Sequence, residues 1–280
     1  MSVSFNVGGV PEHFNLPWQL ALQNGSFEEK GITINWKSYP AGTGAMCNDL
    51  RNASLDVAVL LTEGIVADIA KGNPSRIVQV YVKSPLMWGI HVSASSAIHE
   101  TSQLKGKRYA ISRFGSGSHL MAFVDAQQRG WKLSEDQFVL VNTIDGAREA
   151  LKNGKADVFM WEKFMTKPLV DSGEFRRVDV RNTPWPCFVI AVRNEILEKF
   201  PQEIKNMQEV INKSCLDFMR NRAAIALVSS GYNLSMDDAH EWFSATEWAT
   251  SPELPVDGLS LAANTLKELN LIETPPAFSI

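Results

Sequence analysis

The feature that most constrains the fold is the alternation of short apolar runs with amphipathic segments of helical length. Within the first 82 residues, apolar or β-branched runs occur at 3–7, 32–38, 56–60 and 76–82. Segments typical of helices lie between them at 17–24, 45–52 and 64–71. Strands that alternate with helices are joined by crossover connections, which make neighbouring strands parallel. The sequence therefore predicts an α/β fold.

A second series of strands and helices, similar in size, begins near residue 88 and continues to a β-branched run at 187–192. From residue 195 onward the pattern is almost wholly helical. Proline-bearing connectors at 83–85 and 182–186 flank the second series. We therefore expect two lobes joined by two hinge strands, with residues 1–84 and 194–280 in the first lobe and 85–193 in the second. The helical tail would return to the first lobe.

Composition excludes several classes of protein. The 27 basic and 31 acidic residues give a net charge of −4, and no basic run is longer than Arg176-Arg177, so a nucleic-acid partner is not expected. No apolar stretch approaches the roughly 20 residues that span a bilayer, so no membrane insertion is expected. The first residues run directly into a strand pattern and lack the features of a signal peptide. The expectation is a cytoplasmic monomer.

Ligands of open α/β sheets bind beyond the carboxyl ends of the strands, where loops lead into helix N-termini. The loops at these positions carry aromatic, hydroxyl and charged residues. On the first lobe the candidate ligand contacts are His13, Phe14, Thr43, Thr62 and Glu63, and on the second lobe they are Trp88, Arg113, Ser116, Gly117 and Trp161. Aromatic rings favour a flat or apolar ligand body, and an arginine beside a Gly/Ser loop favours an acidic head group. Each of these residues also has a purely structural interpretation, as a turn glycine, a loop histidine or a core tryptophan.

Enzyme templates fit poorly. The run Gly42-Thr43-Gly44-Ala45-Met46-Cys47 has cysteine where a dinucleotide-binding motif has its third glycine, and the chain has no phosphate-binding Walker loop and no Gly-x-Ser-x-Gly elbow. Its five histidines are dispersed, and its three cysteines show no metal-binding spacing. We therefore expect no catalytic residue, no metal and no cofactor.

The whole chain resembles type II periplasmic binding proteins, in the branch of sulfonate, taurine and thiamine-precursor receptors. Short segments carry this resemblance in the correct order: Pro11-Glu12-His13-Phe14, Gly25-Ser26-Phe27-Glu28-Glu29-Lys30-Gly31-Ile32, Leu55-Asp56-Val57-Ala58, Leu104-Lys105-Gly106-Lys107 and Arg193-Asn194-Glu195-Ile196-Leu197. The run from Ser112 to Met121 is similar to intracellular relatives without signal peptides, including a yeast protein. The resemblance implies two lobes that close on a small ligand held between them.

The same superfamily contains a yeast enzyme that makes the thiamine pyrimidine from its own histidine and a lysine-bound pyridoxal phosphate. The resemblance places Leu60 at the position of that lysine and Gly64 at the position of that histidine. Leucine cannot form a Schiff base and glycine carries no imidazole. Non-catalytic ligand binding is therefore the favoured function. An enzyme related to thiamine biosynthesis is one alternative, and a transporter substrate receptor whose signal was removed is the other, which leaves a transporter partner open.

Overall fold

The computed structural model describes residues 2–278 and contains two five-stranded sheets. The first sheet has the order β2-β1-β3-β10-β4 and consists of β1 (Val3–Gly9), β2 (Ile32–Ser38), β3 (Val57–Leu61), β4 (Ser75–Val82) and β10 (Phe188–Arg193). The second has the order β7-β6-β8-β5-β9 and consists of β5 (Met87–Ser93), β6 (Tyr109–Ile111), β7 (Phe138–Leu140), β8 (Val158–Glu162) and β9 (Phe175–Asn182). The predicted α/β fold is confirmed.

Each sheet belongs to its own compact unit. Unit 1 comprises the chain up to Pro85 and from Pro184 onward, and unit 2 is the continuous segment Leu86–Thr183. The helices of unit 1 are α1 (Leu16–Gln23), α2 (Thr43–Arg51), α3 (Thr62–Ala70), α7 (Asn194–Lys199), α8 (Pro201–Arg220), α9 (Ala224–Tyr232), α10 (Met236–Ala245) and α11 (Val256–Glu268). Those of unit 2 are α4 (Gly117–Gln128), α5 (Ile144–Lys152) and α6 (Lys167–Asp171).

Both sheets are mixed, although the sequence pattern indicated parallel units. In the first sheet β1 is parallel to β2 and β3, but β10 is antiparallel to β3 and β4. In the second sheet β6 is parallel to β7 and β8, while β5 is antiparallel to β8 and β9. The central antiparallel strand of each sheet, β10 or β5, is the first strand after a connection between the units.

The pairing of β10 differs from the division at residues 193 and 194 that we expected from the sequence. Residues 188–193 lie in the first sheet, so the chain has already re-entered unit 1 at Pro184. The composition of an apolar, β-branched run does not indicate which of the two sheets it joins. The register shows the assignment, because Ile190 lies opposite Val59 on one side and Gln79 on the other.

The two segments that lead into and out of unit 2 are hydrogen-bonded to each other. The main-chain N–H of Leu86 donates to Thr183 Oγ1 at 2.9 Å, and the N–H of Thr183 donates to the carbonyl of Leu86 at 3.0 Å. On the unit 1 side of the boundary, Cys187 N–H donates to the carbonyl of Ser84 at 3.2 Å. The entering and leaving chains are therefore adjacent at the base of unit 2.

A buried carboxylate links α4 to the edge strand β9 in unit 2. Asp125, on α4, is fully buried and accepts hydrogen bonds from Arg129 Nε at 2.9 Å and from Arg181 Nε at 2.8 Å. Arg129 also bonds Asp179 of β9 at 2.6 Å. Both guanidinium groups are therefore paired with a carboxylate that is shielded from water.

We expect Asp125→Asn to lower the free energy of unfolding by about 2–4 kcal/mol, because it removes the fully buried carboxylate that two partly buried guanidinium groups share. Urea denaturation measures the effect. Asp145→Asn is the matched control, since Asp145 pairs with Arg148 at an exposed position and should matter little. Equal effects of the two substitutions would contradict this account of the unit 2 core.

Candidate functional site

Two helices of unit 1 begin side by side at the carboxyl edge of the first sheet. α3 follows β3 without a loop, and Thr43, the first residue of α2, accepts the N–H of Leu61 on its Oγ1 at 3.1 Å. A Cβ placed on Gly64 would lie 2.4 Å from Thr43 Cγ2, so only glycine lets the two helix starts approach this closely. Helix N-termini expose main-chain N–H groups without intrahelical acceptors. This edge of unit 1 is therefore suited to polar recognition.

The carboxyl of Glu63 lies in the first turn of α3 and is 1% exposed. Its Oε2 accepts a hydrogen bond from the indole Nε1 of Trp185 at 2.8 Å. Burial raises the pKa of Glu63 to about 7, and hydrogen bonds from its own main chain and from Trp185 offset only part of that effect. Glu63 is one of the contacts predicted from the sequence, but Trp185 was not predicted as its partner. Trp185 lies in the proline-bearing connector at 182–186, which was the sequence feature that could have indicated it.

Three other predicted contacts of unit 1 lie in its core. His13 is fully buried, with its ring 4.1 Å from that of Trp242 and 5.3 Å from that of Tyr232, and burial lowers its pKa to about 3. Phe14 packs against Phe188 at 5.0 Å. Thr62 is also buried, and its hydroxyl donates to the carbonyl of Pro186. Glu12, beside His13, is half-buried, and its apolar surroundings raise its pKa to about 7.

In unit 2 the loop between β6 and α4 is organised by its own serines. Ser116 is the N-cap of α4 and accepts the N–H of His119 on its hydroxyl at 3.3 Å. The hydroxyl of Ser118 accepts the N–H of Ser112 at 3.1 Å. Gly115 turns the chain at φ +77°, and its N–H donates to His119 Nδ1 at 3.0 Å. Because the hydroxyls hold the loop and Ser116 already accepts the N–H of His119, the main-chain N–H groups of Gly117 and Ser118 are the donors available to a ligand.

Trp88 lies on the same face and at the same edge of the second sheet as the start of α4. It pairs in register with Glu162, and Arg181, its neighbour on the other side, reaches Asp125 of α4. Trp88 is 4% exposed, and its indole Nε1 has no hydrogen-bond partner among residues 2–278. The carboxyl of Glu162 is buried and accepts the N–H groups of Phe164 and Met165.

Trp161 lies on the opposite face of the same sheet. It pairs with Gly89 and stacks on Phe159 at 5.4 Å, on the side covered by α5 and α6. Arg113 is half-buried and lies two residues after the end of β6. The structure therefore places Trp88, Arg113, Ser116 and Gly117 at one edge of the second sheet, and the ring of Trp161 on the opposite face from Trp88.

The described part of the chain has neither a metal-binding cluster nor a membrane-spanning helix. Residues 2–278 contain no group of three or more His, Cys, Asp or Glu side chains placed to hold a metal ion. Over the same residues, no helix has the length and apolar character needed to cross a membrane.

Comparison with known proteins places this architecture in a defined class. A family model described as Ca3427-like PBP matches residues 88–180. The solved structure of the Candida albicans CA3427 gene product, which exhibits the generic periplasmic-binding-protein fold, is 31% identical. It superimposes with a TM-score of 0.90 over 98% of this chain and 92% of that one. The alkanesulfonate-binding protein SsuA of Xanthomonas axonopodis pv. citri, solved with bound MOPS, has a TM-score of 0.80 at 16% identity, covering 96% of this chain and 94% of its own.

A sequence relative from Bacillus subtilis is described as "Putative aliphatic sulfonates-binding protein". It is 24% identical over 192 residues, which are 68% of this chain and 57% of that protein. The chain thus spans less than two thirds of that relative's length.

Two α/β units, each with an antiparallel strand next to the connections, define the class of periplasmic-binding-protein folds. Within that class, the chain is 31% identical to the CA3427 gene product over nearly the full length of both chains, which shows its family. The chain belongs to the Ca3427-like family.

We expect Glu63→Gln to gain stability relative to the parent as pH rises from about 5 to about 7.5. The carboxyl has a pKa of about 7 in the folded chain and an ordinary value of 4.5 when exposed. In this window the folded parent holds a proton that the unfolded chain releases, so its stability falls with rising pH. Glutamine lacks this proton, and the relative gain should be about 1–3 kcal/mol.

Urea denaturation of both proteins at pH 5 and pH 7.5 measures this gain. The buried His13 titrates in the opposite sense, so the difference between variant and parent is the relevant quantity. Glu198→Gln, at an exposed position of α7, is the control and should run parallel to the parent. A Glu63→Gln curve that also runs parallel would contradict the burial of an ionisable carboxyl.

Proposed function

We propose that the protein is a cytoplasmic, monomeric binder of a small soluble ligand with an anionic head group, and that it does no covalent chemistry of its own. The ligand would lie in the cleft that this fold class forms between its lobes, with hinge closure around it. Cys47, Cys187 and Cys215 are buried thiols that form no disulfide among residues 2–278, so these residues need no oxidising compartment. Delivery to a transporter is the alternative role for the same binding site.

The observation that carries the proposal is the convergence of donors at one edge of unit 2. The start of α4 contributes main-chain N–H groups, Arg113 contributes a guanidinium from the adjoining loop, and Trp88 contributes a buried indole N–H that has no acceptor among the described residues. Helix N-termini and guanidinium groups both favour oxyanions. A buried donor without an acceptor costs about 1–3 kcal/mol, which a ligand oxygen would recover.

The relatives support an acidic ligand. The Bacillus subtilis protein is described as binding aliphatic sulfonates. The Xanthomonas protein was solved with MOPS, which is itself a sulfonate carrying a saturated ring. A sulfonate, carboxylate or phosphate head would fit the same donors, and the ring of Trp88 favours a flat or apolar body, including a heteroaromatic one.

Gly64 and Leu60 support a non-catalytic role. Leu60 is fully buried in β3, and a leucine forms no Schiff base with a pyridoxal-type cofactor. The contact of Gly64 with Thr43 leaves no room for a side chain, so a histidine at position 64 would force the two helix starts apart. We therefore do not assign thiamine-pyrimidine synthesis to this chain.

We expect Arg113→Ala to weaken binding of propane-1-sulfonate and MOPS by about 1.5–3 kcal/mol, or roughly tenfold to a hundredfold in Kd, because it removes a charged donor. Titration calorimetry measures the change. Arg108→Ala is the matched control: Arg108 precedes the same strand β6 at its opposite edge and pairs with Asp157. Affinity that is unchanged in Arg113→Ala would contradict the anion site.

We expect saturating propane-1-sulfonate to reduce the radius of gyration in small-angle scattering, because ligand-bound proteins of this architecture close about hinges. The hinges proposed are residues 83–86 and 183–187, which include the hydrogen-bonded pair Leu86 and Thr183. Arg113→Ala at the same concentration serves as the low-affinity control. Scattering curves that coincide with and without ligand in the parent would speak against closure.

A further inference from the structure

Two Asn-Gly pairs occur in the sequence, and the side chains around them differ. Asn24-Gly25 follows α1, and Asn153-Gly154 follows α5. In such a pair the main-chain nitrogen of glycine can attack the side-chain carbonyl carbon of asparagine, because glycine has no Cβ to obstruct the approach. Both asparagines are exposed. Each pair is therefore a candidate for self-modification.

The main chain is nearly the same at the two pairs. Asn24 has φ −91° and ψ 0°, and Asn153 has φ −91° and ψ 5°. Both glycines have positive φ, +75° at Gly25 and +64° at Gly154. Their N–H groups donate to the carbonyl three residues earlier in the chain, at 3.4 Å and 3.3 Å respectively. The neighbouring side chains are therefore what distinguishes the two pairs.

The carboxamide of Asn24 is activated through its oxygen. Oδ1 accepts hydrogen bonds from the main-chain N–H of Ser26 at 3.0 Å and from the Ser26 hydroxyl at 2.5 Å. Donors on this oxygen stabilise the negative charge that it acquires when Cγ is attacked. Asn153 is bound at the other end of its carboxamide, because its Nδ2 donates to Glu149 Oε2 at 3.2 Å. That contact holds the leaving nitrogen and does not activate the carbonyl.

A carboxylate lies beside the attacking nitrogen of the first pair but not beside that of the second. A Cβ built on Gly25 would lie 3.9 Å from Glu28 Oε2, whereas one built on Gly154 would have no neighbour within 4 Å. The nitrogen loses its proton as the new bond forms, and a nearby carboxylate can accept that proton directly or through one water. Residues 24–28 thus combine a nucleophile, an activated carbonyl and a base.

We propose that Asn24 is a site of spontaneous deamidation. The main-chain nitrogen of Gly25 bonds to Cγ of Asn24, its proton passes through the base to Nδ2, and the Cγ–Nδ2 bond breaks to release ammonia. Water then opens the resulting cyclic imide at either carbonyl, which gives aspartate or isoaspartate at position 24 without an oxidant or a cofactor. Asn24 lines a groove of about 630 Å³ between α1 and α8 that already contains three carboxylates and two lysines. The product makes this surface of unit 1 more acidic.

The test is peptide mapping by mass spectrometry of the parent, Ser26→Ala and Glu28→Gln after incubation at pH 8 and 37 °C. Asn153 in the same samples is the internal control. In the folded parent, Asn24 should convert faster than Asn153 by about threefold to tenfold, the effect of one neutral hydrogen bond on a barrier. Each substitution should remove much of this difference and leave the rate at Asn153 unchanged.

The parent unfolded in urea separates the effect of the folded geometry from that of the local sequence. Unfolding removes the contacts made by Ser26 and Glu28, so the two asparagines should then convert at similar rates. Equal rates at Asn24 and Asn153 in the folded parent would overturn the proposal. An Asn24 rate that is unchanged in either variant would also overturn it, as would a difference between the two asparagines that persists in urea.

Discussion

The main-chain hydrogen bonds that join β10 to β3 and β4 are the constraint on which the rest of unit 1 depends. β3 and β4 are not neighbours in the first sheet, and only the antiparallel strand between them makes the sheet continuous. β10 is contributed by chain that has already passed through unit 2. Because β5 has the equivalent place between β8 and β9, both sheets are completed by a strand adjacent to the connections. The two-segment composition of unit 1 follows directly from this pairing.

The polar chemistry of each unit is concentrated at helix starts, but the two edges differ in kind. In unit 2 the serine hydroxyls are used to shape the loop, and the donors without a partner among the described residues include the buried indole N–H of Trp88. In unit 1 a carboxyl occupies the first turn of α3 and presents an acceptor.

Much of the fold could be predicted from periodicity, because strand and helix alternation is encoded locally. The loop of Arg113 and Ser116 was likewise visible, since a Gly/Ser run between a strand and a helix marks a turn. Sheet membership was not visible: nothing in the β-branched composition of 188–193 distinguishes one sheet from the other. The face of the sheet on which each side chain lies could not be predicted either, because the register of Gly89 with Trp161 depends on long-range pairing. The contacts of His13 with Tyr232 and Trp242 also join residues more than 200 positions apart, beyond the range of a local pattern.

The late position of β10 in the chain has a consequence for biosynthesis. A ribosome that has just made β3 must add more than a hundred further residues before Phe188 exists to pair with Leu61. At about 5–20 residues per second this delay is on the order of ten seconds. During that time one edge of β3, whose residues Val57, Val59 and Leu60 are fully buried in the finished protein, has no neighbouring strand. Unit 2, a continuous segment that ends at Thr183, is synthesised during this delay. The nascent chain would therefore present an unpaired apolar strand edge to chaperones until the segment that follows unit 2 has been made.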